Sequence, residues 1–232
     1  MRNSVKVRKI IFEILNEIRQ KNINFDESYL NFTKNIKVSD QDRSMIYNIA
    51  LNSIRNNFFI HSILNKYLKK KTSNKIKVLL VCAITQILYL DFKGYAVTND
   101  TVEIAKIKNL NPGLVNSLLK NIINNGKEIN IKEINILSVP SWFIKKLNQN
   151  KININQVLEN VSKEPSLHIV FKDKKFLDAF GENYINTTEV SAFIKEKNKI
   201  KELEDYDKGY WWVQDFSSML PIYLSPEINS KK

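Results

Sequence analysis

The sequence predicts a mainly α chain, an all-α helical bundle followed by a small α+β module. Three observations lead there. Residues 76–92, IKVLLVCAITQILYLDF, are apolar almost all round, and a helix of that kind must be enclosed by other helices. On either side of it, as far as residue 126, apolar residues recur at helical spacing between short polar turns. Beyond Pro165 the period changes to the alternation of strands. The boundaries expected are a helical domain over 1–127, a linker over 128–140 and a second module over 141–232.

Residues 4–21 place Val7, Ile10, Ile11, Ile14, Leu15 and Ile18 on one face of a first helix. Its opening turn carries Arg2, Lys6, Arg8 and Lys9, against a helix dipole that favours anions there, so a phosphate would relieve the crowding. Phe25, Tyr29, Leu30 and Phe32 mark a short second helix. Ser39 is placed to cap a third, with Asp40 and Asp42 in its first turn and Met45, Ile46, Ile49, Ala50 and Ile54 along its face. Arg43 and Arg55, near its two ends, either bind phosphate or pair within the chain, Arg43 with a nearby carboxylate. A fourth helix with Phe58, Phe59, Ile63, Leu64 and Leu68 runs out into Lys69, Lys70 and Lys71.

The 76–92 stretch is the core helix. It is too short for a bilayer, which takes about 20 apolar residues, and lysines 75 and 77 with Asp91 and Lys93 mark its ends in water. After Gly94, Thr98 or Asn99 is expected to cap a helix containing Val102, Ile104 and Ala105. Asn111-Pro112-Gly113 starts another, apolar through Leu114, Val115, Leu118, Leu119, Ile122 and Ile123. In the second module, helices are expected from Ser141 and over 155–161, then a strand at 167–171, a short helix over 174–180 and one or two strands within 184–193. His168 reads as a partly exposed strand residue. Tyr210-Trp211-Trp212 either packs on this module or stacks on bases, and Asp215 is placed to cap a helix at Phe216.

Composition narrows the function classes. No apolar run opens the chain, so no secretory signal is expected and the setting is cytoplasmic, without a membrane. The single cysteine, Cys82, falls within the core helix, which excludes a disulfide framework or a cysteine zinc site. The net charge is +12, and all of it lies in residues 1–127, which hold 21 Lys+Arg against 9 Asp+Glu, whereas residues 128–232 hold 15 of each. Such asymmetry points to a polyanionic partner for the first domain, nucleic acid above all. Six lysines and no acid occupy residues 66–77. The candidate RNA contacts are Arg2, Lys6, Arg8, Lys9, Arg43, Arg55, Lys69, Lys70, Lys71 and Lys75.

Several separated stretches carry a family resemblance. Asp42-Arg43 with Arg55, residues 96–103 (AVTNDTVE), residues 113–120 (GLVNSLLK), Pro140-Ser141-Trp142 and residues 209–215 (GYWWVQD) resemble, in order, segments of the RsmB/Sun (Fmu) family of bacterial rRNA cytosine-C5 methyltransferases. The N-terminal domain of that family is similar to the antitermination factor NusB. The resemblance implies a NusB-like RNA-binding domain, 16S rRNA as partner, and S-adenosylmethionine as cofactor of the complete family member. The family's glycine-rich cofactor loop, Leu-Asp-x-Cys-Ala-Ala-Pro-Gly-Gly-Lys-Thr, and its two cysteines do not occur here. The five glycines, at 94, 113, 126, 181 and 209, are never neighbours. The expectation is therefore a chain that binds RNA, holds no cofactor, carries no catalytic residue and is truncated before its methyltransferase domain. The alternative is a stand-alone NusB-like regulatory factor of transcription (anti)termination, for which residues 140–232 have no evident use.

Overall fold

The computed structural model describes residues 1–34, 36–130, 139–181, 183–195 and 200–225. Of the linker expected over 128–140, residues 131–138 lie outside the described residues. Among those described are eleven α-helices and four strands. They form two compact units, Met1–Lys163 and Glu164–Lys232.

The first unit is the predicted bundle. It contains α1 (Asn3–Lys21), α2 (Phe25–Thr33), α3 (Asp40–Arg55), α4 (Asn57–Tyr67), α5 (Asn74–Ile84), α6 (Gly94–Ile107) and α7 (Pro112–Asn124). The caps are local chemistry and fall as expected. Ser39 Oγ accepts the Asp42 amide at 3.1 Å, and Asn111 Oδ1 accepts the Leu114 amide at 2.9 Å. The core helix behaves differently from its expectation over 76–92. It is regular only to Ile84 and then widens into a π-helical turn over Thr85–Tyr89. Its two polar residues are buried and satisfied. Thr85 Oγ1 donates to Val81 O at 2.8 Å and accepts from Ser53 Oγ at 2.9 Å, while Gln86 Nε2 donates to Cys82 O at 2.9 Å. Burial pushes the Cys82 thiol up to about 12, so it stays protonated as a small apolar side chain.

Neither Thr98 nor Asn99 caps α6, which begins four residues earlier at Gly94. The Thr98 hydroxyl donates back to Gly94 O at 2.8 Å from inside the helix. Gly94 is where α6 meets α7, since a Cβ there would stand 2.9 Å from Ile123 Cδ1. Two further helices, α8 (Ser141–Gln149) and α9 (Ile154–Ser162), belong to this unit and not to the second module, where the sequence reading placed them. They pack with Val139 and Leu158 on Phe58 and Phe59 of α4.

The second unit holds β1 (His168–Phe171), α10 (Lys174–Asp178), β2 (Tyr184–Thr188), β3 (Ser191–Ile194), β4 (Trp211–Val213) and α11 (Phe216–Tyr223). Its sheet is antiparallel in the order β2-β3-β1-β4. That is the split βαβ arrangement, with α10 as the crossover and short 3-10 turns leading to β4. Ile169, Phe171, Ala192, Ile194 and Trp211 form one inner face, closed by Leu177 and Phe180. Asp215 caps α11 through the Ser218 amide at 3.2 Å.

His168 is buried, contrary to its expected partial exposure. Its Nδ1 lies 2.8 Å from Gln214 O, a pure acceptor, so Nδ1 carries a proton. Its Nε2 lies 2.8 Å from Thr187 Oγ1, and Thr187 and Thr188 both reach Ser191 Oγ, at 2.8 and 2.6 Å. His168 therefore ties β1 to β4 and to the β2–β3 hairpin.

Candidate nucleic-acid interface

Crowded cations open α1, and the structure shows what relieves them. Arg8 is buried: its Nε donates to Gln86 Oε1 at 2.8 Å and its Nη1 to Asp100 Oδ2 at 2.9 Å, with the guanidinium over the Phe92 ring. Burial lowers its pKa, opposed by the charge of Asp100. Arg2 reaches the same carboxylate at 3.1 Å and Glu103 at 2.7 Å, and its pKa is raised, first by the hydrogen bond to Glu103 and then by the charge of Asp100. The relief expected from a phosphate is thus supplied by two acids of α6. Arg8 is withdrawn from the candidate contacts, because its side chain is enclosed and its Nε and Nη1 are engaged within the chain. Arg2 keeps an exposed guanidinium.

Arg43 also turns inward, though to no carboxylate. Its Nη1 and Nη2 donate to Thr33 O, the last carbonyl of α2, and to Ile36 O beyond it, at 3.3 and 3.4 Å. Tyr29 fixes the same position from behind, its hydroxyl 3.4 Å from Arg43 O. Lys34, Ile36, Lys37, Val38 and Ser39 line, with Arg43, a shallow basin of about 660 Å³. Two cations absent from the sequence-derived set, Lys34 and Lys37, stand on it, and Lys6 Nζ donates to Lys37 O at 3.4 Å. The pKa of Asp42, nearby, is lowered by hydrogen bonds from Asn3 and at Ser39.

The remaining candidates point outward. Lys69, Lys70, Lys71 and Lys75 are exposed, Lys9 and Arg55 half-buried, and none makes an ion pair among the described residues. Thr72 Oγ1 donates to Lys70 O at 3.0 Å and Ser73 caps α5, so the lysine turn is shaped by its own polar side chains. His61, on α4, lies beside two more cations; burial, then the charges of Arg19 and Lys77, lower its pKa to about 4. In the second unit Trp211 is committed to the core, its Nε1 donating to Glu204 O at 2.8 Å. Trp212 is exposed and donates to its neighbour Gln214 Oε1 at 2.9 Å. Among the described residues no His, Cys, Asp and Glu cluster could hold a metal, and no helix is long and apolar enough to cross a membrane. The separated glycines and the buried Cys82 do not fit S-adenosylmethionine or a thiolate nucleophile.

Comparison with known proteins gives one family and a few solved folds. The NusB family model matches residues 5–124. No curated protein matches the chain. Antitermination factors NusB and NusE, solved in complex with dsRNA, include a chain similar at 23% identity and TM-score 0.48, over 53% of this chain and 98% of that one. A structure described as a plectonemic RNA supercoil includes one similar at 22% identity and TM-score 0.49, over 56% and 99%. PH0851 is similar at 14% identity and TM-score 0.47 over 91% of this chain, which spans about half, 54%, of its length.

Proposed function

Because this chain belongs to the NusB family, we propose that it is an RNA-binding protein whose first unit grips the phosphate backbone, in the setting of an RsmB/Sun-type rRNA (cytosine-C5) methyltransferase. The observation that carries the RNA reading is the state of the surface cations. After Arg8 and Arg43 are committed internally, Lys9, Arg55, Lys69, Lys70, Lys71 and Lys75 still stand without a carboxylate partner among the described residues. Arg2 and Lys6 stand at the opening of α1. Unpaired cations on one unit of a chain whose second half is neutral are what counterion release from a polyanion requires.

The methyltransferase setting rests on the GYWWVQD stretch and the Pro-Ser-Trp before α8, with 16S rRNA as the substrate it implies. Methyl transfer itself would belong to the family's catalytic domain, whose glycine-rich loop and cysteine pair do not occur in these residues. Trp212, Val213, Ile222, Tyr223 and Leu224 are all exposed, and no side chain of α11 is buried; this apolar surface suits the seat of such a domain. The setting is cytoplasmic.

Affinity for 16S rRNA fragments, measured from 50 to 200 mM salt, should fall with a log–log slope of roughly −0.7 to −0.9 per phosphate engaged. A flat dependence would sink the reading. Replacing Lys69, Lys70 and Lys71 together with glutamate should weaken binding while leaving the helical circular dichroism unchanged, because all three are exposed on a polar turn. Incubated with S-adenosylmethionine and 16S rRNA, the chain alone should transfer no methyl group.

A further inference from the structure

We propose that the basin formed by Lys34, Lys37 and Arg43 between α2 and α3 is a seat for one phosphodiester of the bound RNA, a site distinct from the lysine turn. This rests on the RNA-binding reading and specifies where that reading acts. Three cations line the basin, and no carboxylate is among its lining residues, Lys34, Ile36, Lys37, Val38, Ser39 and Arg43. The nearest acids on α3 are Asp40, exposed in its first turn, and Asp42, which is engaged with Asn3 and Ser39.

The geometry is organised for an anion. Arg43 spends two N–H groups on Thr33 O and Ile36 O; a guanidinium has five, so it is anchored with donors to spare. The same two bonds close the turn that brings Lys34 and Lys37 beside it. Tyr29 holds the Arg43 backbone, and its ring is itself clamped edge-on by Tyr47 with centroids 5.4 Å apart. Lys6, from α1, adds a fourth cation, its Nζ donating to Lys37 O. Like charges that line one basin repel one another, and a phosphate is the ligand whose oxygens meet a fork and ammonium groups together.

The test uses the full chain. Lys34→Ala/Lys37→Ala leaves Arg43 and the turn in place, since both lysines are exposed. It should weaken RNA binding about tenfold, as for the loss of charge-assisted hydrogen bonds, and flatten the salt slope by about 0.7 to 0.9, one phosphate's worth. Inorganic phosphate titrated into the unmodified chain should shift the amide resonances of residues 36–43, and should fail to shift them in the double variant. RNA bound by the variant with unchanged affinity and slope would overturn the seat and leave the RNA reading standing. An unmodified chain that binds no RNA would overturn both.

Discussion

Arg8 shows how one buried charge organises its surroundings. It shares the α1 face of Ile11, Phe12 and Leu15, where an apolar residue would be ordinary, and Asp100 and Gln86 exist as its partners. Removing one member of a buried pair costs roughly 3 to 5 kcal/mol when the other is left uncompensated; the exposed Arg2 still reaches Asp100, which places the loss toward the lower end. Arg8→Met should therefore lower the urea midpoint strongly, whereas adding Asp100→Leu should return part of the loss. The salt slope of RNA binding should be the same for folded Arg8→Met as for the unmodified chain; a shallower slope would restore Arg8 to the interface. Arg8 was legible as one of the crowded cations that open α1. Its partner was not, because 92 residues separate Arg8 from Asp100 and no local pattern marks the pair.

Among elements, those set by neighbours in sequence were readable and those set by distant packing were not. Ser39, Asn111 and Asp215 cap as their spacing says, since an N-cap needs only an amide two or three residues on. The π-turn at Thr85–Tyr89 has no such signal; Gln86 there is fixed by Arg8. On α4, the folded state holds His61 neutral to about pH 4, against 6.5 for the free side chain. The unfolded chain takes up the proton first, so His61 contributes to a loss of stability as pH falls from about 6.5 to about 4. Urea unfolding of His61→Gln compared with the unmodified chain should show a gap that varies across this window, and parallel curves would discard the effect. In the second unit, His168→Leu removes the side-chain donor to Gln214 O and leaves Thr187 Oγ1 with Ser191 Oγ alone. It should cost about 1 to 3 kcal/mol, seen as faster hydrogen exchange of the β1 and β4 amides while the helices of the first unit stay protected.

At the scale of the whole molecule, the helical bundle and the later sheet were predictable from periodicity, and the grouping of α8 and α9 was not. Phe58 and Phe59 read simply as apolar residues of the fourth helix, and the structure uses them as the landing for the later helices. Of the site, the excess charge and the lysine turn were evident, whereas Lys34 and Lys37 acquired meaning only when Arg43 folded the turn. The exposed row Trp212, Val213, Ile222, Tyr223 and Leu224 makes self-association the expected behaviour of the isolated chain. Light scattering should show mass rising with concentration, and substituting Ile222 and Leu224 with lysine should suppress it.

The order β2-β3-β1-β4 sets the last strand beside the first. Phe171 of β1 pairs with Trp211, roughly forty residues later, and His168 waits for the carbonyl of Gln214. A ribosome adding about 5–20 residues per second leaves that edge open for a few seconds. During that interval a half-built sheet with apolar side chains and unsatisfied amides is the species that molecular chaperones would meet, and slowing translation between codons 171 and 211 would lengthen its exposure.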